Sequence, residues 1–285
     1  MLPYFLGCPS WNDSAWRESL YHGLRPVDFL PRYTQVFNAV EGNTTLYAWP
    51  SADKIKHWAE VMPASFRFCA KFPQDISHAD DLRVQLSSAR TFIELLAPLG
   101  ERASPLWLQL PRRFGPERLN ELKVFLDTLA PRHALAVEVR HLAFFDKGET
   151  ERALNRLLLD LGVERIGLDS AALFSADPSD PAVRLAQSKK PRVPARALAF
   201  SAQPQVRFIG RLELAANDYY LAKWVSRVAD WIEAGKQPFV FLHTPDNRQA
   251  PELALRFHAQ LRERLPGLPE LPTLSTASTE QLGLL

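Results

Sequence analysis

Eight short apolar runs recur along the chain, and amphipathic stretches separate them. The runs cover residues 3–7, 36–41, 66–71, 106–110, 135–139, 165–169, 206–211 and 239–243. Each has the length and composition of a buried strand rather than of a helix. The stretches between them carry helix signals. Residues 51–61 open on Ser51 with an acidic first turn, and residues 116–129 place Pro116 at the first helical position. Residues 82–99, 151–161 and 215–234 each run up to a glycine, and residues 251–265 run up to Pro266. Strand and helix alternating eight times predict parallel pairing with right-handed crossovers. The expected fold is therefore α/β, a single-domain TIM (β/α)8 barrel. An open doubly wound sheet is the alternative, but it lacks the glycine-rich first turn such sheets carry.

Residues 1–265 form the expected barrel domain. Residues 171–205 interrupt the rhythm between strands six and seven with five prolines and a basic cluster, Lys189, Lys190, Arg192 and Arg196. A loop of that length predicts a lid or rim. Residues 266–285, rich in Pro, Ser and Thr, read as a loosely ordered tail.

Composition excludes several classes. With 46% hydrophobic residues and a net charge of +2 in 285 residues, the chain is not disordered. Two cysteines make neither a disulfide scaffold nor a four-thiolate zinc site, and Cys8 and Cys69 read as buried, inert thiols. No apolar run reaches the ~20 residues of a membrane span, and the N-terminus has no basic signal region. The reading is a soluble cytoplasmic protein with no membrane partner. GxGxxG, GxxxxGK[ST] and GxSxG are absent, so the common nucleotide loops and the hydrolase elbow are excluded. Basic and acidic residues number 34 and 32, which gives no general case for nucleic acid.

Strand parity points to one end of the barrel. Alternate residues of a barrel strand face the axis and the helices. Leu106, Leu108 and Leu110 suit the helix layer, so Trp107 and Gln109 should face inward. The same logic turns Cys69 and Lys71, Ala136, Glu138 and Arg140, Gly167 and Asp169, and Phe241 and His243 inward. Glu41 ends the second strand, with Asn43 just beyond, and Arg207 and Arg211 share a parity in the seventh. Seven of the eight strands thus end on polar groups, where barrel enzymes keep their chemistry. For Arg207, deeper in its strand, a structural pairing with Glu138 or Asp169 competes with a ligand role.

A cation-rich mouth suits phosphate or carboxylate, which Arg grips through paired hydrogen bonds. Arg140, Arg207 and Arg211 form the expected anion clamp, Glu138 or Glu41 the base, and Lys71 an acid or electrophile. Trp11 and Tyr47, on the first loops, could stack on a ligand ring. No motif implies a cofactor. Glu41, Glu138, Asp169 and His243 are of the right types for a divalent metal, which stays an alternative although no HExxH or His-x-His pair accompanies them.

A set of segments carries a resemblance across nearly the whole chain: Gly7-Cys8-Pro9-Ser10-Trp11; residues 37–50 around Glu41-Gly42-Asn43; residues 66–73 with Lys71, then Ile76-Ser77-His78; Gln109-Leu110-Pro111 with Phe114; Ala136-Val137-Glu138-Val139-Arg140-His141; Val206-Arg207-Phe208-Ile209-Gly210; and Pro245-Asp246-Asn247 with Ala250-Pro251. This pattern resembles domain-of-unknown-function family 72, the YecE-like family. The resemblance implies a TIM barrel and no established activity. It adds His78 as a second acid or electrophile, and His141 and Asn247 as substrate-binding positions. The chain departs from the family at Cys8-Pro9, where Thr-Ser is usual, at Ile209, where His is usual, and at His243, where Asn is usual.

The functional expectation is an enzyme, of hydrolase, lyase or isomerase type, acting on a small anionic substrate at the C-terminal ends of the strands. A nucleic-acid enzyme or binder, contacting phosphate through residues 171–205, and a non-catalytic metabolite-binding protein are the alternatives. The sequence leaves the oligomeric state open.

Overall fold

The computed structural model describes residues 2–272 and 274. The chain alternates strand and helix throughout. In order it runs β1 (Phe5–Cys8), α1 (Phe29–Val36), β2 (Ala39–Gly42), α2 (Asn43–Tyr47), α3 (Ala52–Val61), β3 (Arg67–Ala70) and α4 (Gln74–Ser77). Then come α5 (Leu86–Leu96), β4 (Leu106–Gln109), α6 (Leu119–Leu129), β5 (Leu135–Glu138), α7 (Glu149–Asp160), β6 (Glu164–Arg165) and β7 (Gly167–Asp169). The last part is α8 (Ala171–Phe174), α9 (Pro181–Lys189), β8 (Gln205–Ile209), α10 (Asp218–Glu233), β9 (Phe239–His243) and α11 (Ala250–Arg264). Short 3₁₀ turns such as Ser14–Glu18 and Leu142–Phe145 fill the connections.

Among the described residues all strand pairs are parallel, and they form two sheets rather than one continuous ladder. The larger has the order β3-β2-β1-β9-β8-β7 and the smaller β4-β5-β6. A closed eight-stranded ladder is therefore not what the hydrogen bonds draw. Between β3 and β4 there is a single bridge, Lys71 to Trp107, with the Phe72 N–H donating to the Trp107 carbonyl at 2.9 Å. The other discontinuity lies inside the sixth apolar run. Ile166 separates β6, which pairs with β5, from β7, which pairs with β8. The two sheets nonetheless share an inner face. Ala39, Cys69, Trp107, Ala136, Ile166, Phe239 and Phe241, drawn from both, pack into one small cluster. Outside it lies the main apolar core between strands and helices, including Leu106, Leu108, Val137, Phe125 and Leu253. Parity thus falls as expected for β2, β3, β4, β5 and β9.

The sixth run is the exception. Ile166 faces the inner cluster, and Leu168 packs with Ile209, Leu173 and Val183. Gly167 and Asp169 turn the other way, toward α10. A Cβ on Gly167 would lie 2.7 Å from the Arg196 carbonyl and 3.3 Å from the Trp224 ring. The expectation that Gly167 and Asp169 face inward is therefore reversed, because Trp224 closes over a position that only a glycine leaves open.

Residues 171–205 are not a bare loop. They hold α8 and α9 before returning to β8. The Asp180 carboxylate accepts from the Ala182 and Val183 N–H groups, and Pro181 stands at the first turn. Asp-Pro is a helix-start signal, which the reading of this segment as a loop missed. At the far end, His258 bonds the Pro269 carbonyl and Leu268 is buried. The first part of the expected tail is therefore docked, and residues 273 and 275–285 lie outside the described residues. Among the described residues, no helix is long and apolar enough to cross a membrane.

At Gly7 two strands approach closely. A Cβ there would sit 2.1 Å from the Ala39 carbonyl oxygen on β2. Gly7→Ala must push β1 and β2 apart, an overpacking cost of about 1–3 kcal/mol. Urea denaturation should show the midpoint falling with an unchanged slope. An unchanged midpoint would contradict the close register of these strands.

Candidate functional site

Strand order brings side chains from five strands, and from Lys71 just past β3, to one buried point. Glu41, Lys71, Gln109, Glu138, Arg207 and His243 are all buried, and they bond to one another. Arg207 is the hub. Its Nη2 lies 2.8 Å from Glu41 Oε1 and its Nη1 3.0 Å from Glu138 Oε2. Lys71 Nζ donates to Glu41 Oε1 at 2.6 Å and to Gln109 Oε1 at 2.9 Å, and it lies 5.1 Å from the centre of the Trp107 ring. Arg140, partly buried, donates Nε to Glu138 Oε1 at 2.7 Å. His243 Nε2 stands 2.6 Å from Glu41 Oε2. The ion pairing that competed with a ligand role for Arg207 is present, with Glu41 in the place of Asp169.

Burial and charge act against each other here. Burial alone would raise the Glu41 carboxyl, but Arg207, Lys71 and His243 together hold it well below the usual carboxylate range. Burial likewise opposes ionisation of Glu138, and Arg140, Arg207 and Lys71 overcome it, lowering it to about 2. Lys71 is brought down to about 8 by burial and by Arg207, against the pull of both glutamates. Burial brings His243 down to about 3 although Glu41 favours its charged form. At neutral pH the imidazole is therefore uncharged. Its Nε2 must carry the proton that Glu41 accepts, which leaves Nδ1 as a lone pair. Among the described residues, Nδ1 has no hydrogen-bond partner.

The cluster adjoins a cavity of about 310 Å³ under the 171–205 segment. Arg112, Arg140, Lys190 and Arg192 line it, with Leu142, Phe174, Pro191 and Val193 as its apolar wall. A second cavity, of about 570 Å³, shares Phe174, Arg192 and Val193 with the first. Arg112 donates to the Lys190 carbonyl at 2.7 Å, tying the loop after β4 to the lid. Lys190 was noted in the sequence only as one of a basic run. Burial and then Arg207 bring its amine down to about 7. Arg112 carried no signal beyond its place three residues after Gln109.

Other expected site residues stand elsewhere. Asp169 accepts from Trp224 Nε1 and pairs with Lys223, both at 2.7 Å, because β7 faces its odd residues toward α10. Trp11 is buried edge-on against Trp58 and Phe68, so it is core rather than a stacking platform. Tyr47 is 74% exposed. Asn43 donates to the Pro9 carbonyl at 2.9 Å and joins the first two loops. Asn247 turns the chain at φ +61°, and its carbonyl accepts from Trp16 Nε1. His141 accepts from the Ala143 N–H and caps a 3₁₀ turn, and Arg211 bonds Asn217 through its backbone. His78 bonds the Ser77 hydroxyl at 2.8 Å. Burial, then Arg140 and Arg113, push it below its ordinary value. Cys8 and Cys69 are buried free thiols, both raised by burial. Among the described residues, no group of three or more His, Cys, Asp or Glu side chains is placed to hold a metal ion. The acids that composition offered to a metal are split between the Arg207 cluster and the Asp169–Trp224 contact.

Two results follow for measurement. Removing Arg207 strands two buried carboxylates, so Arg207→Met should cost about 3–5 kcal/mol by chemical denaturation, and a loss within 1 kcal/mol would contradict the hub. For Glu138, the folded value of about 2 lies below the ordinary 4.5. Its stabilisation is complete above that ordinary value and is lost as pH falls from there toward 2. Glu138→Gln should flatten the fall in stability between pH 5 and 3, and an identical pH profile in both proteins would refute the assignment.

Comparison with known proteins agrees with the resemblance in the sequence. The family model described as "Protein of unknown function DUF72" matches residues 5–276. The chain is 41% identical over 262 residues to the UPF0759 protein YecE of Escherichia coli strain K12, covering 92% of this chain and 94% of that protein. The YecE protein of E. coli O157:H7 matches to the same extent. Two crystal structures of a DUF72 family protein (EF0366) from Enterococcus faecalis V583 share the fold. Their TM-scores are 0.67 and 0.64 at 16% and 18% identity, covering 95% and 93% of this chain and 98% of each of those chains.

Proposed function

We propose, for a chain that belongs to the DUF72 family, a function read from its site: binding of a small anionic molecule, phosphorylated or carboxylated, and catalysis on it. One observation carries this reading. The two buried glutamates are already matched by Lys71, Arg207 and Arg140, so Arg112, Lys190 and Arg192 around the adjoining cavity have no acid partner among the described residues. An arginine-lined cavity recognises carboxylate or phosphate oxygens through paired hydrogen bonds. A concave cavity of about 310 Å³ suits a small molecule better than a nucleic-acid strand. In this reading the two sheets work as one (β/α)8 barrel, with the Lys71–Trp107 bridge and Ile166 at its seams, and the site lies at the C-terminal strand ends. The protein acts in the cytoplasm, with no cofactor required for binding.

The roles differ from those the sequence suggested. Glu41 and Glu138 are poor bases, because each is held ionised by two or more cations. His243, oriented by Glu41 and brought down to about 3 by burial, is no stronger a base, so these three groups shape and hold the site. Arg140 and Arg112 hold the anion. Lys71 and Gln109 position Glu41 rather than touch the ligand.

Isothermal titration with inorganic phosphate and small carboxylates tests the reading. Arg112→Ala leaves the glutamate network intact, so it should weaken binding about tenfold or more, or ~1.4 kcal/mol. Absence of anion binding, or binding indifferent to Arg112, would overturn it.

A further inference from the structure

Lys190 stands apart from the other cations at the site. Lys71 is engaged by Glu41 and Gln109, Arg207 by both glutamates, and Arg140 by Glu138. The Lys190 side chain makes no ion pair or hydrogen bond among the described residues, yet it lines the cavity. Its backbone is fixed from both sides. The Lys190 N–H closes α9 on the Ala186 carbonyl at 2.9 Å, and its carbonyl accepts from Arg112 at 2.7 Å. The next residue, Pro191, accepts from the Ser170 hydroxyl at 2.8 Å. A long flexible side chain is thus launched from a rigid point into a pocket of guanidinium groups.

We propose that Lys190 is a nucleophilic lysine that forms an imine with the carbonyl carbon of a small anionic aldehyde or ketone, such as a 2-oxo acid, held by Arg112, Arg140 and Arg192. The proposal rests on reading the cavity as an anion site. In the reaction the Nζ lone pair forms a bond to the carbonyl carbon while the C=O π electrons pass to oxygen, which takes up a proton. The carbinolamine then loses that oxygen as water as nitrogen gives up its remaining proton, so that amine plus carbonyl yields imine plus one water. The geometry suits this step. Neighbouring cations and apolar walls disfavour an ammonium, and the same cations bind the substrate's carboxylate beside the amine. An amine brought down to about 7 is near half free base at neutral pH. An ordinary lysine has roughly a thousandfold smaller free fraction. Lys71, enclosed and hydrogen-bonded, cannot do the same work.

The experiment incubates the full-length protein at pH 7 with glyoxylate and sodium cyanoborohydride, which reduces an imine to a stable carboxymethyl amine, and maps the adduct by peptide mass spectrometry. Labelling at Lys190 should exceed that at exposed Lys189 by about tenfold or more, fall when inorganic phosphate competes, and vanish in Lys190→Arg, which keeps its thermal midpoint. If phosphate binds through Arg112 but Lys190 is labelled no faster than Lys189, the imine is overturned and the anion site stands. If phosphate does not bind at all, both fall.

Discussion

Arg207 holds two carboxylates that otherwise could not both be ionised in a buried place. Glu41 comes from β2 and Glu138 from β5, which belong to different sheets, and the guanidinium on β8 bridges them. Its planar fork can address two acids at once, which a lysine ammonium does less well. Removing a buried charge from water costs several kcal/mol per ion, so such a cluster persists only when each member is paired. Every acid here is paired, and Lys71, Gln109, Arg140 and His243 complete the pairing.

The consequence is electrostatic. Because the acids are satisfied inside the cluster, they do not neutralise the cations of the cavity beside it. Arg112 arrives from the loop after β4, and Lys190 and Arg192 arrive from the segment between β7 and β8. That segment is held in place by a second network. Arg196 and Arg165 both bond Glu151 on α7, at 2.5 Å and 3.2 Å, and Arg196 also caps the Phe145 carbonyl. The lid is therefore anchored to the body at its return end, while α9 carries Lys190 over the cavity. A net charge of only +2 conceals this division into a neutralised interior and a cationic mouth.

Much of this was legible from strand parity. Three leucines in the fourth apolar run turned Gln109 inward, and the same alternation turned Lys71 and Glu138, because a strand with one greasy face leaves no choice for the other. The sixth run defeated the method. Ile166 and Leu168 share a parity with no third apolar residue to confirm it, and Gly167 has no side chain to place. The choice was made by Trp224, 57 residues further on in sequence, closing over the glycine. Trp11 misled for a related reason: a tryptophan near a strand end reads as a binding platform, but Trp58 and Phe68 cover it. Lys190 was hidden because its role depends on how a lid folds back, which pattern alone does not encode. The family resemblance runs through Glu41, Lys71, Gln109, Glu138, Arg140 and Arg207, which bond to one another, but also through Asn43 and His141, which stand apart, and His243 departs from it.

The central claim is that the acids of this site are spent on its own cations, leaving a mouth that takes anions rather than metal ions. A crystal structure grown in the presence of tungstate and magnesium tests it most directly, since the anomalous signal of tungsten locates an oxyanion without ambiguity. The account predicts tungstate bound between Arg112, Arg140 and Lys190, with Glu41 and Glu138 still on Arg207. A magnesium ion held by Glu41 and Glu138, with Arg207 displaced and the arginine-lined cavity empty of tungstate, would contradict it.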